Sequence, residues 1–435
     1  MMNADITGTT AAEIADSVRA LRERGMLRPG DALPPVRELA SLLGVNRNTA
    51  VSAYRQLAQA GLVISRGRGG TLIAGSGGVA QEGVADTVLH DVASGNPDAR
   101  LIPDPTKALG RIVGRPVLYG EPVIDAELEQ WTREWMLADL PRDDLQVCVT
   151  SGAVDAVERL LAQALMRDDA VALEDPCFLA SIHTVRLGGY RAIPVPVDDE
   201  GMTVAGVRAA LDAGVRAIIS TPRAQNPTGV SLSPARAAAL QDVLAEHPYV
   251  LIIEDDHFSL LSPHPYASLI GPQHRRYALV RSVSKFLGPD MCLALAGTDP
   301  VTAERLAMRL SPGTTWVSHL LQRLAHAQLT DADVRAQIAA AATHYAQRNA
   351  TFTAALEQHG ITTNSSDGLS LWVRLEVPAR VAADKLMRQG WLARTGDEFR
   401  LDDAAPTSHH LRLTVHDLSD ADAARLIGDL VAAQR

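Results

Sequence analysis

Lysine is scarce in this chain. Only Lys107, Lys285 and Lys385 stand among its 41 basic residues, so lysine-centred chemistry has few possible places. Lys107 follows a Pro-rich loop, and Lys385 falls on an amphipathic surface helix. Lys285 differs: it ends the run Arg281-Ser282-Val283-Ser284-Lys285 and precedes Gly288-Pro289. That spacing puts it at the end of a strand, where open α/β sheets bind their ligands. An amine there can form an imine with an aldehyde, and neighbouring Ser282 can hold a phosphate.

Other expected strand ends supply complementary groups. Asp255 closes the run Val250–Glu254, and a carboxylate there can keep a pyridine nitrogen protonated, as a pyridoxal electron sink requires. Thr150-Ser151-Gly152-Ala153 opens a helix, whose N–H groups with the Ser151 hydroxyl make an anion cradle. Asn226, in Asn226-Pro227-Thr228-Gly229, can donate to a phenolate oxygen. Phe178 can stack on an aromatic ring, and Arg412 can grip a carboxylate bidentately. Taken singly, the Asn-Pro-Thr-Gly run could be a turn and Asp255-Asp256 a solvated strand end. Their shared position at successive strand ends points to one pyridoxal phosphate site.

The elements that must position these groups alternate along the chain. Strand-like runs at Gln146–Val149, Ala170–Leu173, Ala217–Ser220, Val250–Ile253 and Ala278–Arg281 are separated by alanine-rich helical stretches. Such alternation predicts an α/β fold with a large, mostly parallel sheet. Strand candidates around Leu369–Leu375 and Leu411–Val415 predict a small α+β domain over about residues 330–435.

The N-terminus reads differently. Ala11–Glu23 suits an amphipathic helix, Pro34 and Pro35 suit the start of a second over Val36–Leu43, and Gly44 punctuates it. Asn46 suits the N-cap of a third helix to about Ala60. Leu62–Ile64 and Thr71–Ile73 outline a hairpin around a Gly/Arg turn. Three helices and a wing make a winged helix-turn-helix over residues 1–75, with a glycine-rich linker at 76–90 and the remaining body at 91–435. Asn46, Arg47, Asn48 and Thr49 sit where a recognition helix meets the major groove. Arg37 could hold the phosphate backbone, while Arg66 and Arg68 on the wing tip could enter a minor groove. Charge agrees: residues 1–75 carry a net +3 and the remainder −13, so duplex DNA contact is expected from the head.

No apolar stretch approaches the ~18 residues a membrane span needs. Met1–Ser17 lacks a basic region followed by an apolar one. Three scattered cysteines (Cys148, Cys177, Cys292) fit a reducing compartment better than a disulfide framework or a zinc site. A cytoplasmic protein without membrane contact is expected.

The stretch LPPVRELASLLGVNRNTAVSAYRQLAQAGLVISRGRGGTLI resembles the GntR winged-helix family. Residues from about 90 onward, through EDPCFLASI, TPRAQNPTG, DDHFSLL and RSVSKFLGPD, resemble a fold-type I aminotransferase. The fusion is similar to the MocR subfamily of transcriptional regulators. This resemblance implies pyridoxal 5'-phosphate as cofactor, with Lys285 as the Schiff-base lysine and Asp255 as partner of the pyridine nitrogen. It implies Asn226 at O3′, Phe178 on the ring, and Ser151, Gly152, Ala153 and Ser282 around the phosphate. Tyr119 matches a tyrosine that reaches the neighbouring subunit's phosphate, and Arg412 one that holds an effector carboxylate. A homodimer with each head near the other body is implied too. Two positions depart from the pattern. His257 replaces a tyrosine that bonds O3′, and Cys292 replaces an arginine that pairs with the phosphate.

The expected function is a regulator sensing a B6 vitamer, pyridoxal phosphate or pyridoxal, and controlling genes of vitamin B6 salvage or metabolism. An authentic aminotransferase carrying a DNA-binding head, or a DNA-binding protein with a dead body, are the alternatives.

Overall fold

The computed structural model describes residues 6–28, 30–60, 62–65, 70–73, 87–112, 115–310, 316–363, 367–402 and 405–434. Two compact units are formed, one within Met1–Gln81 and one by Glu82–Leu401 with Thr407–Arg435.

In the first unit, α1 (Ala11–Glu23) is opened by a capping box between Thr10 and Glu13, and it buries Ile14, Ala15, Val18 and Leu21 on one face. A strand, β1 (Ala32–Leu33), precedes α2 (Val36–Leu43), which Gly44 ends in the left-handed conformation at φ 64°. Next come α3 (Arg47–Gln59), β2 (Val63–Ser65) and β3 (Thr71–Ile73). The Tyr54 hydroxyl donates to Pro34 O at 2.6 Å and ties α3 to the turn before α2. Strand β3 pairs antiparallel with both β2 and β1. The pairing with β1 is an addition to the expected hairpin, since two residues are too short to show a period. Arg66, Arg68, residues 74 and 75 of the expected head and residues 76–86 of the expected linker lie outside the described residues.

The second unit begins at β4 (His90–Asp91) and is built on eight strands: β5 (Gln146–Thr150), β6 (Ala170–Asp175), β7 (Arg191–Asp198), β8 (Gly201–Met202), β9 (Val215–Ser220), β10 (Leu251–Asp255), β11 (Tyr277–Ser282) and β12 (Ala294–Thr298). Their order is β5-β12-β11-β10-β9-β6-β7-β8. Strands β11, β10, β9, β6 and β7 run parallel, while β12 is antiparallel to both its neighbours. Alternate residues enter different cores: Ile218, Ile252 and Leu279 pack on one face, and Ile219, Ile253 and Val280 on the other. Burial on both faces explains why these strands are continuous apolar runs. It also directs five strands' carboxyl ends to one edge.

The small C-terminal sheet pairs β13 (Leu371–Arg374) with β16 (His410–Leu413), and β16 with β15 (Arg394–Thr395). Strand β14 (Trp391–Leu392) pairs with β4, so the segment entering this unit belongs to the small sheet's core, with Val92 in it.

One buried ion network braces the large sheet. Asp256, just after β10, accepts from Arg223 at 2.6 and 2.9 Å and from Arg281 at 2.8 Å. Arg281, wholly buried, also donates to Asp139 at 2.5 Å, and its guanidinium lies 4.5 Å from the Trp135 ring. Removing one partner strands charge in the core, which typically costs about 3–5 kcal/mol. Arg281→Ala is therefore expected to destabilise this unit by about that much. Urea unfolding followed by tryptophan fluorescence reports on it, because all five tryptophans lie beyond residue 130. A loss below about 1 kcal/mol would show that Arg223 alone satisfies Asp256.

Candidate functional site

Lys285 lies in a tight turn after β11, where Phe286 N–H and Leu287 N–H both donate to Val283 O (3.2 and 2.8 Å). Val283, Phe286 and Leu287 are buried and pin the turn, and Lys285 lines a narrow open cleft. Its Nζ donates to Gly95 O at 2.9 Å. Asn226, His257, Asp367 and Gly95 line the same cleft.

Asn226 is held by the turn after β9. Gln225 N–H donates to Val230 O at 2.8 Å, and the Gln225 side chain donates to Glu174 at 3.1 Å and to Pro176 O at 2.8 Å. Glu174 is the penultimate residue of β6, so one amide ties the Asn226 loop to the loop that carries Phe178. Neither Glu174 nor Gln225 was singled out from sequence. A carboxylate inside the apolar run Val-Ala-Leu-Glu-Asp was the available signal. Burial raises the Glu174 carboxyl to about 7, against hydrogen bonds from Thr221 and Gln225. Phe178 itself caps the helix Leu179–Leu187 and is half-buried. Arg412, wholly buried on β16, donates to Asn226 Oδ1 at 3.1 Å and to Ala93 O at 2.5 Å.

Asp255 carries the decisive electrostatics. Burial first, and then the charge of neighbouring Asp256, raise its carboxyl from 3.8 to about 7, while Lys285 pulls it down. Asp256 behaves oppositely: despite its burial, Arg281 and Arg223 hold it below the usual carboxylate range. Oδ1 of Asp255 is buried with no hydrogen-bond partner. A buried acceptor left without a donor is costly, and a protonated pyridine nitrogen is a donor that would satisfy it. The residues present therefore fit pyridoxal phosphate at its ring end.

At the phosphate end, Thr150 and Ser282 are each registered against Ala294, so they stand about 10 Å apart across β12. Ser151, Gly152 and Ala153 link β5 to the helix Ala153–Ala164, with Gly152 at φ 94°. One amide of this cradle is taken, because Ser151 N–H donates to Asp155 at 3.0 Å. Cys292 lies against it, with Sγ 3.4 Å from Ser151 O. Ser282 Oγ donates to Ser284 Oγ at 3.0 Å. Arg281, the nearest guanidinium in sequence, is already held by Asp256 and Asp139. Tyr119 is apart from the cleft, 90% exposed, with its ring 5.4 Å from that of Trp316.

In the head, Arg47 and Asn48 are exposed and Thr49 half-buried in the first turn of α3, and Arg37 is exposed in the first turn of α2. Asn46 Oδ1 accepts from Asn48 N–H at 2.8 Å, so this side chain caps the helix.

Residues 10–73 match the gntR family of bacterial regulatory proteins, and residues 91–430 match aminotransferase class I and II. The chain belongs to the MocR-type regulators. Among relatives of this MocR-type chain, the vitamin B6 salvage pathway transcriptional repressor PtsJ of Salmonella typhimurium is 46% identical over 98% of both chains. The pyridoxine biosynthesis transcriptional regulator PdxR of Corynebacterium glutamicum is 28% identical over 64% of both. Among solved structures, the kynurenine aminotransferase of Pyrococcus horikoshii superimposes with a TM-score of 0.72 at 20% identity, covering 80% of this chain and 91% of its own. The α-aminoadipate aminotransferase LysN of Thermus thermophilus gives 0.69 at 20% identity, covering 80% and 92%. The fold-type I architecture and the winged helix-turn-helix head expected from sequence are both present.

A pH dependence follows from Asp255. Its proton is held more tightly in the fold than in the unfolded chain, so stability falls as pH rises from about 4 to about 7. Asp255→Asn, which cannot ionise, should gain stability relative to the parent across that window, by at most about 1.4 kcal/mol per pH unit. Urea titrations of both proteins, freed of cofactor, at several pH values check this. Parallel pH profiles would show that Asp255 titrates normally.

Proposed function

We propose that this chain is a transcriptional regulator whose body binds pyridoxal 5'-phosphate and senses a B6 vitamer. Its head reads a duplex DNA operator at genes of vitamin B6 salvage or metabolism. The observation that carries the reading is the buried, unpartnered Oδ1 of Asp255 within electrostatic reach of Lys285, which lines the cleft. The names of PtsJ and PdxR support the same link to vitamin B6.

In this reading Lys285 is the attachment point and Asp255 holds the ring nitrogen. Asn226 and His257 face the phenolate oxygen, and Phe178 covers the ring. Ser151, Gly152, Ala153 and Ser282 receive the phosphate, while Arg412 takes an effector carboxylate. Pyridoxal phosphate supplies the aldehyde and an electron sink. Arg47, Asn48, Thr49 and Arg37 meet the operator. We take the chain to act as a cytoplasmic homodimer in which Tyr119 reaches across to the partner, which accounts for its exposure here. The intact Arg412–Asn226 pair keeps the aminotransferase reading alive, and assays with amino and keto acids separate the two.

Three outcomes are expected. Arg47→Ala should weaken operator binding by about 1–3 kcal/mol if the guanidinium reads a base edge. Vitamers should shift the parent's affinity, as measured by footprinting on DNA flanking its own gene with and without each one. Unchanged binding at physiological salt, or indifference to every vitamer, would refute the reading. Cys292→Arg should tighten pyridoxal phosphate binding about tenfold, because a guanidinium–phosphate pair contributes about 1.5–3 kcal/mol. Equal affinity in a folded variant would mean that the phosphate contacts are already complete.

A further inference from the structure

The segment Val92–Asp98 holds two side chains of the site, Lys285 and Arg412, although sequence reading singled out none of it. Its Gly95 carbonyl accepts from Lys285 at 2.9 Å, and its Ala93 carbonyl accepts from Arg412 at 2.5 Å. Those are the two side chains that a ligand's aldehyde and carboxylate would claim. The rest of the segment is fastened to the small domain. Val92 N–H donates to Leu392 O at 3.0 Å, Val92 O accepts from Thr414 N–H at 2.7 Å, and Gly95 N–H donates to Thr414 Oγ1 at 3.0 Å. The His416 ring bonds Asn96 O at 3.0 Å, and Asp98 N–H donates to the Tyr345 hydroxyl at 3.1 Å. Upstream, β4 is the first strand of this unit, and the chain continues from it through residues 74–86 to the head.

We propose that Val92–Asp98 is a strap that reports occupancy of the cleft to the DNA-reading head, by losing its Lys285 and Arg412 bonds when a ligand takes those side chains. The inference rests on the proposed binding of a B6 aldehyde at Lys285. Condensation of the neutral amine with that aldehyde joins Nζ to the carbonyl carbon. The carbonyl oxygen leaves with both amine hydrogens as water, so Gly95 O loses its donor. A carboxylate that accepts from Arg412 competes with Ala93 O in the same way. Both losses fall on one short segment whose other bonds to the small domain are to backbone, Thr414, Tyr345 and His416. A ligand shifts a conformational equilibrium only through contacts that differ between its states. Here the differing contacts lie on the stretch of chain that leads to the head.

The test uses the full-length protein with pyridoxal phosphate as the probe. Borohydride reduction and peptide mapping establish attachment to Lys285, and hydrogen exchange is followed in peptides covering residues 87–98. With saturating pyridoxal phosphate, the Val92, Gly95 and Asp98 amides should exchange about tenfold faster. In Thr414→Val, which removes the hydroxyl that holds Gly95, exchange should already be fast without ligand. The effect of pyridoxal phosphate on DNA affinity should then shrink at least about threefold. If Lys285 is labelled while strap exchange stays unchanged, or Thr414→Val keeps the parent's DNA response, the strap is not the relay, and the proposed function stands. If Lys285 takes no label, or DNA affinity ignores pyridoxal phosphate, both fall together.

Discussion

Two adjacent carboxylates leave the end of β10, and the large domain is arranged to keep their charges unequal. Side chains of successive strand residues point to opposite faces, so Asp255 and Asp256 meet different surroundings. Asp256 meets two guanidiniums and stays ionised. Asp255 meets burial and its neighbour's negative charge, which favour keeping its proton. This asymmetry sets the charge that Lys285 meets beside β10. A carboxyl with an unsatisfied buried oxygen favours a ligand that brings a protonated nitrogen, because such a ligand supplies both the missing hydrogen bond and a countercharge. Arg281 serves this arrangement from the opposite direction. By binding Asp256 and Asp139 it fixes where the negative charge resides.

The same economy of parts governs how the loops are held. Five parallel strands deliver their carboxyl ends to one edge, and Phe178, Asn226, Asp255 and Lys285 lie at or within six residues of the ends of β6, β9, β10 and β11. What remains is to stop those loops from drifting relative to each other. Glu174 and Gln225 do this between the Phe178 and Asn226 loops, and Asp367 does it between the domains. Its carboxylate accepts from Ser231 at 3.0 Å and from Ser262, and its N–H donates to Gly229 O at 2.8 Å. Buried polar groups are tolerated only when partnered, so these bonds fix position at the same time as they satisfy charge.

Much of this was legible in the sequence, for identifiable reasons. Continuous apolar runs marked β5, β6, β9, β10 and β11 because both faces of the sheet are buried. The head's second and third helices were legible through Gly44 and Asn46, whose capping roles are local. Strand β12 was not legible: Ala294–Thr298, reading Ala-Leu-Ala-Gly-Thr, has little strand propensity. Its small residues suit close packing, and a Cβ at Gly297 would lie 2.6 Å from the Met136 sulfur. Strand β7 was hidden by Pro194 and Pro196, which argue against an interior strand. In the site, residues with distinctive chemistry were found, whereas those that act through backbone carbonyls, such as Ala93 and Gly95, were not. A carbonyl is present at every position, so nothing in residue type announces its use.

That blind spot bears on how a catalytic frame becomes a sensor. An enzyme needs its ligand to be better held in the transition state than in the ground state, which asks for side chains converging on one reacting centre. A regulator needs two conformations that bind a ligand unequally, and a path from the difference to a distant surface. On the proposed reading the groups for the first are Lys285, Asp255, Asn226 and Arg412, residues whose types declare themselves. The second is a property of connectivity. Where a chain enters a domain, its backbone must pair with something, and here it pairs with the two cations that a ligand would claim. On the proposed reading, a head joined to the amino end of this fold is connected in sequence to the segment whose bonds a ligand would break, and that connection needs no new side chain.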